Sequence, residues 1–175
     1  MNELLEFDRH ALLAGQWWRL WTGHLVHYTP QHALIDFAVV LAAAVIVVQL
    51  SATPAAGMRR LALALCLGAP FISAGLLLIA PGCVSYRGAS GIAAMLVVMA
   101  GGALWPRAAR SVRAALLLMA ATLLAKIGAE AAGAVHGLSQ LPADVVVAWQ
   151  AHLLGVAAGA LTFAFAARKP RLQLD

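Results

Sequence analysis

Five apolar stretches, each bounded by Pro, Gly or Arg, dominate the chain at roughly 31–50, 58–80, 90–105, 111–134 and 147–167. A bilayer core about 30 Å thick takes about 20 helical residues to cross, and four of the five are long enough. Apolar residues make up 63% of the 175 and charged residues only 11%, whereas about a quarter are charged in an ordinary soluble domain. Too few polar groups remain to coat a water-facing surface. The expected architecture is an all-α, polytopic membrane bundle with five spans over residues 31–167, after a polar interfacial segment, 1–30, and before a basic tail, 168–175. The net charge of +5 does not point to nucleic acid, because Arg sits in the short gaps between apolar runs, where it sets orientation.

One set of gaps carries Arg59 and Arg60, then Arg107, Arg110 and Arg113, then Arg168, Lys169 and Arg171; the other carries only Arg87. The first set belongs on the cytoplasmic side, which puts the C-terminus inside and residues 1–30 outside. That start contains Glu3, Glu6, Asp8, Arg9 and Arg19 and no apolar run able to span or to act as a signal peptide. Either the short tail crosses unaided or a preceding helix is missing, and the missing helix is the expectation.

The third stretch is short. From Ser90 to Trp105 a helix reaches only about 24 Å, and Pro106 with Arg107, Arg110 and Arg113 fixes its end at one membrane face. Its start, at Gly88-Ala89-Ser90-Gly91, therefore lies beneath the opposite surface, where a turn is tolerated only if protein shields it or water reaches it. The first, third and fifth spans all begin on that outer side. His32 and Asp36, Ser90, and His152 thus share one depth, with His32 and Asp36 on one helix face at i, i+4. Ionisable groups inside a membrane are expensive, so such a layer is a functional hypothesis by default.

Ser90 and His152 can act as nucleophile and base, since a serine hydroxyl is weak until a neighbouring base takes its proton and histidine titrates near neutrality. Free N–H groups where Ser90 opens its helix could stabilise an oxyanion, with Gly88 and Gly91 permitting the turn and the approach of a peptide. The plain alternative makes Ser90 an N-cap and the glycines packing. Gly155 and Gly159 form a small-xxx-small face one turn beyond His152. That face is common in membranes and gains meaning only by bringing the imidazole near another helix.

Other polar residues allow different readings. His24, His27, His32 and Asp36 could be four metal ligands, or histidines of different spans could hold haem. However, HExxH is absent and Pro30 interrupts any single helical face. Trp17, Trp18, Trp21 and Tyr28 resemble an interfacial aromatic belt. Lys126 and Glu130, at i, i+4, read as a self-neutralising structural pair, with proton relay or substrate contact as the alternative. Cys66 and Cys83 lie about 25 Å apart along a helix, beyond disulfide reach.

Trp18-Arg19, His27, His32 and the residue four beyond it, Gly88-Ala89-Ser90-Gly91, and Ala151-His152-x-x-Gly155-x-x-x-Gly159 together resemble the rhomboid intramembrane serine proteases in order and spacing. The stretch Gly15-Gln16-Trp17-Trp18-Arg19-Leu20-Trp21-Thr22-Gly23-His24, Tyr86-Arg87 before the serine, and Lys126 with Glu130 look more specifically like the rhombosortase branch. The resemblance implies a rhomboid-type bundle whose first helix is absent here, and a Ser–His dyad of Ser90 and His152. It also implies an oxyanion held by His32, the residue at Asp36 and backbone N–H groups of the Gly88-Ala89-Ser90-Gly91 turn. No metal or organic cofactor is implied. The implied substrates are membrane-anchored proteins cleaved near the outer face of a bacterial inner membrane, such as exported proteins with a C-terminal Gly-Gly-type segment. Two departures stand out. Asp36 replaces the usual Asn, and an ionised carboxylate has no donor for an oxyanion; Asp36 must be protonated, be shielded or hold His32. Ala94 replaces a Tyr that stacks on the catalytic His in many bacterial rhomboids, so another group must orient His152. These departures also motivate a second reading, a catalytically inactive rhomboid-like protein that binds transmembrane helices.

Overall fold

The computed structural model describes residues 2–134 and 148–167. The expected basic tail, 168–175, and the stretch 135–147 lie outside the described residues. Among the described residues, seven α-helices occur in the order α1 (Arg9–Leu13), α2 (Arg19–Thr22), α3 (Pro30–Gln49), α4 (Pro54–Ile79), α5 (Ser90–Leu104), α6 (Arg110–Ala131) and α7 (Trp149–Ala167). A two-residue strand, β1 (Phe7–Asp8), pairs antiparallel with β2 (Ser85–Tyr86), Phe7 opposite Tyr86 and Asp8 opposite Ser85. Among the described residues, four helices are long and apolar enough to cross a membrane: α3, α4, α5 continued through a 3₁₀ turn to Arg107, and α6. The chain is an integral, multi-pass membrane protein.

Local chemistry sets the helix starts. Thr29 and Thr53 each precede a proline that occupies the first helical position, where no N–H is needed. Their hydroxyls accept the N–H groups of His32 and Ala56, both at 3.1 Å. α5 is apolar on every side, and it packs against α3, α4 and α7. Its residues Ile92, Met95, Leu96 and Met99 form the core with Ile72 and Leu76 of α4 and Val47 of α3. α6 buries Ile127 and turns most of its apolar surface outward, as suits a helix facing lipid.

Residues 2–29 clamp the C-terminal half of α4 and the turn before α5. The Arg9 guanidinium donates to the carbonyls of Leu76, Leu77, Ala80 and Cys83 at 2.7–3.2 Å, satisfying acceptors left over where α4 ends. Inside α4, Pro70 lacks the N–H that would bond the Cys66 carbonyl, and the Trp21 indole N–H supplies a donor there at 3.0 Å. Buried Arg19 holds the segment to itself through Gln16 Oε1 and the carbonyls of Glu3 and Glu6, each at 2.8 Å. Arg87 pairs with Glu6 at 2.5 Å and lies over the Tyr28 ring. Cys66 and Cys83 are both free thiols.

Candidate active site

Ser90 is the first residue of α5, and its cap position is Ala89, with no side-chain capping bond. Ser90 is therefore not an N-cap. A Cβ added at Gly91 would stand 2.9 Å from the Ala151 carbonyl oxygen, and one added at Gly155 would collide with the Gly91 carbonyl. The backbones of α5 and α7 thus touch where both helices begin. Ser90 precedes one contact residue and His152 follows the other. Gly159 continues the seam, a Cβ there falling 2.6 Å from the Met95 carbonyl oxygen. Ser90 is half-buried and His152 is buried.

Asp36 reaches across from α3 to the turn before Ser90. Its Oδ2 accepts the Ala89 N–H at 2.8 Å and lies 3.2 Å from His27 Nε2 and 3.3 Å from His32 Nε2. The carboxylate is buried among the Ala89 N–H and two imidazole nitrogens. It is shielded and holds His32, two of the possibilities the sequence left open, but it also occupies the Ala89 N–H. An acceptor with that role does not donate to an oxyanion. Gly88, at φ +135°, lies in the left-handed half of backbone space that only glycine adopts readily. A Cβ there would also press on His32 Cε1 at 2.9 Å. Its N–H donates to the Gly23 carbonyl at 3.2 Å, tying the turn to the N-terminal segment.

Sequence patterns marked Tyr86 only through the rhombosortase likeness, and His24 through that likeness and as a possible metal ligand. The Tyr86 hydroxyl donates to the Gly88 carbonyl at 2.7 Å and stands beside Ser90 and the Gly91 N–H. Burial pushes that phenol well above its ordinary range, so it remains protonated. The His24 ring meets Tyr86 edge-on, 5.6 Å between centroids, and its Nε2 lies 3.1 Å from the Ala69 carbonyl and 3.0 Å from Ser73 Oγ. His24 is thus bound to α4, whereas His27 and His32 meet Asp36. Among the described residues no group of three or more His, Cys, Asp or Glu is arranged to hold a metal ion.

Burial lowers His24 from 6.5 to about 4. Between those values the unfolded chain binds a proton that the folded chain refuses, so stability falls as pH drops through this window. The loss approaches about 3 kcal/mol once both states are protonated. Thermal unfolding in detergent from about pH 7 to about pH 4 should show a steeper decline for wild type than for His24→Gln. Parallel slopes would contradict this assignment.

Glu130 also reaches the site. One of its oxygens pairs with Lys126, as the i, i+4 spacing suggested, but the other lies 2.7 Å from His152 Nδ1 on α7. The pair is therefore not closed on itself. A cavity of about 740 Å³ lies elsewhere, between α4, α5 and α7 near Arg59, Arg60 and Arg107. It has no part in this cluster.

A membrane bundle with serine opening a central helix and histidine on the helix packed against it defines a class of integral membrane protein. Residues 14–169 match the Rhomboid domain family model, and the chain belongs to the rhomboid family, whose members are in general intramembrane serine proteases. No curated protein and no solved structure matches the chain.

Proposed function

We propose that the chain is an intramembrane serine endopeptidase whose nucleophile is Ser90 and whose base is His152. The supporting observation is the backbone contact of α5 with α7 at Gly91 and Gly155, which sets the two residues on adjoining first turns. His152 takes the hydroxyl proton as Ser90 Oγ adds to the substrate carbonyl carbon. First-turn N–H groups of Ser90 and Gly91, together with the helix dipole, hold the oxyanion. Collapse expels the amine, which takes the proton back from His152. Water or another amine then releases the acyl group by the reverse sequence. Asp36 anchors the turn through the Ala89 N–H. His32 keeps Nδ1 buried with no hydrogen-bond partner among the described residues, which leaves it capacity for a substrate group.

The substrate is a membrane-anchored protein whose helix unwinds into a small-residue segment near the outer face. Arg59, Arg60, Arg107, Arg110 and Arg113 gather at the opposite ends of their helices, supporting a cytoplasmic inner end and an outward-facing site. Likeness to the rhombosortase branch narrows the substrate to exported proteins with a C-terminal Gly-Gly-type segment, an apolar helix and a basic tail. Co-reconstitution of the chain with such a protein tests this. Cleavage is expected beside the Gly-Gly segment, and Leu-Leu in its place should slow it at least about tenfold. Binding of the apolar helix without cleavage would instead favour the non-catalytic, helix-binding reading.

A further inference from the structure

We infer that Glu130 is the positioning residue for His152, fixing its tautomer and ring orientation; this rests on the reading of His152 as the base. Its carboxylate is buried, with the side chain 3% exposed, on a helix that otherwise faces outward. One oxygen is taken by Lys126 and the other by His152 Nδ1 at 2.7 Å. An ionised carboxylate only accepts hydrogen bonds, so Nδ1 must carry the proton. In a neutral imidazole that leaves Nε2 unprotonated, the form required of a base toward Ser90. Lys126 occupies the second oxygen, which leaves a single direction for the bond to His152. When His152 takes the serine proton, Glu130 faces the resulting imidazolium and stays ionised itself.

The fold offers no other described group for this task. Ala94, in the position from which an aromatic ring could stack on His152, instead presents a methyl group to Gly155. α5 carries no titratable side chain, and α4 contributes Arg59 and Arg60 near its N-terminus and Cys66 on its exposed surface. α6 contributes Lys126 and Glu130, with Arg110 and Arg113 at its far end. Tyr86 stands beside Ser90, and His27, His32 and Asp36 gather at Ala89.

The test measures the rate at which a fluorophosphonate acylates Ser90 across pH, using the full chain in detergent. Glu130→Gln should lower the rate at neutral pH by about 10²–10⁴-fold and move the midpoint of the pH profile downward. Glu130→Asp should recover part of the rate and keep the wild-type midpoint. A folded Glu130→Gln protein with the wild-type rate and midpoint would overturn the inference. Nitrogen-15 spectra of histidine-labelled wild type give a second reading that needs neither a variant nor activity. A neutral His152 with its proton on Nδ1 is expected, and one protonated on Nε2 overturns the role of Glu130. If wild-type Ser90 resists the probe, the nucleophile assignment fails separately, and the tautomer still decides Glu130.

Discussion

Alanine at Ser90 or at His152 is expected to lower cleavage of a membrane-anchored substrate by at least about 10⁴-fold, and the double variant should be little worse than either single one. In the proposed dyad, nucleophile and base act as a unit, so removing one strands the other. The Ser90→Ala protein should fold as wild type, because the start of α5 draws no capping bond from the serine side chain. His152→Ala leaves Glu130 paired with Lys126 alone, and His152→Gln keeps a polar group near that carboxylate as a second variant. Product mass spectrometry alongside thermal unfolding separates lost chemistry from lost fold. Wild-type turnover by a folded Ser90→Ala protein would contradict the assignment.

Valine at Gly155 should also slow the reaction, by less than loss of either dyad residue, without touching a reacting atom. The added side chain would meet the Gly91 carbonyl and the Ala94 methyl group, both on the central helix. Backbone cannot swing aside as a flexible side chain can, so α7 must move away from α5. Overpacking of this kind costs about 1–3 kcal/mol. A shift of about 1 Å between nucleophile and base lowers the rate by about 10²-fold. A lower unfolding midpoint and slower labelling of Ser90 are both expected. Valine at Gly159 should act on stability more than on rate, because its contacts, the Met95 carbonyl and Val98, lie further from Ser90. Equal losses of rate at the two positions would contradict a local seam at the site.

The parts of this arrangement that sequence exposes are those with a local cause. Long apolar runs mark the positions of α3 to α7 because such runs persist along the sequence, but α4 begins at Pro54 rather than near residue 58, since the Thr53 cap starts the helix before its apolar run. Ser90, His152, Gly155 and Gly159 stand out as small or polar residues in otherwise aliphatic helices. Glu130 is different. Along the sequence its i, i+4 lysine is partner enough, and only the packing of α6 on α7 shows the second oxygen turned to His152. Asp36 likewise shows its true partner, the Ala89 N–H, only once α3 and α5 are side by side. Arg9 bonds carbonyls more than sixty residues away, and no periodicity encodes a contact of that span. Polar groups in a membrane protein find partners through the fold, so spacing along the chain names the groups without naming their partners.

Mapping the site of covalent fluorophosphonate attachment tests most directly whether Ser90 and His152 work together. One adduct per chain, located on Ser90 by peptide mass spectrometry and abolished by His152→Ala in folded protein, is the expected result. Attachment elsewhere, or undiminished labelling of Ser90 without His152, would contradict it.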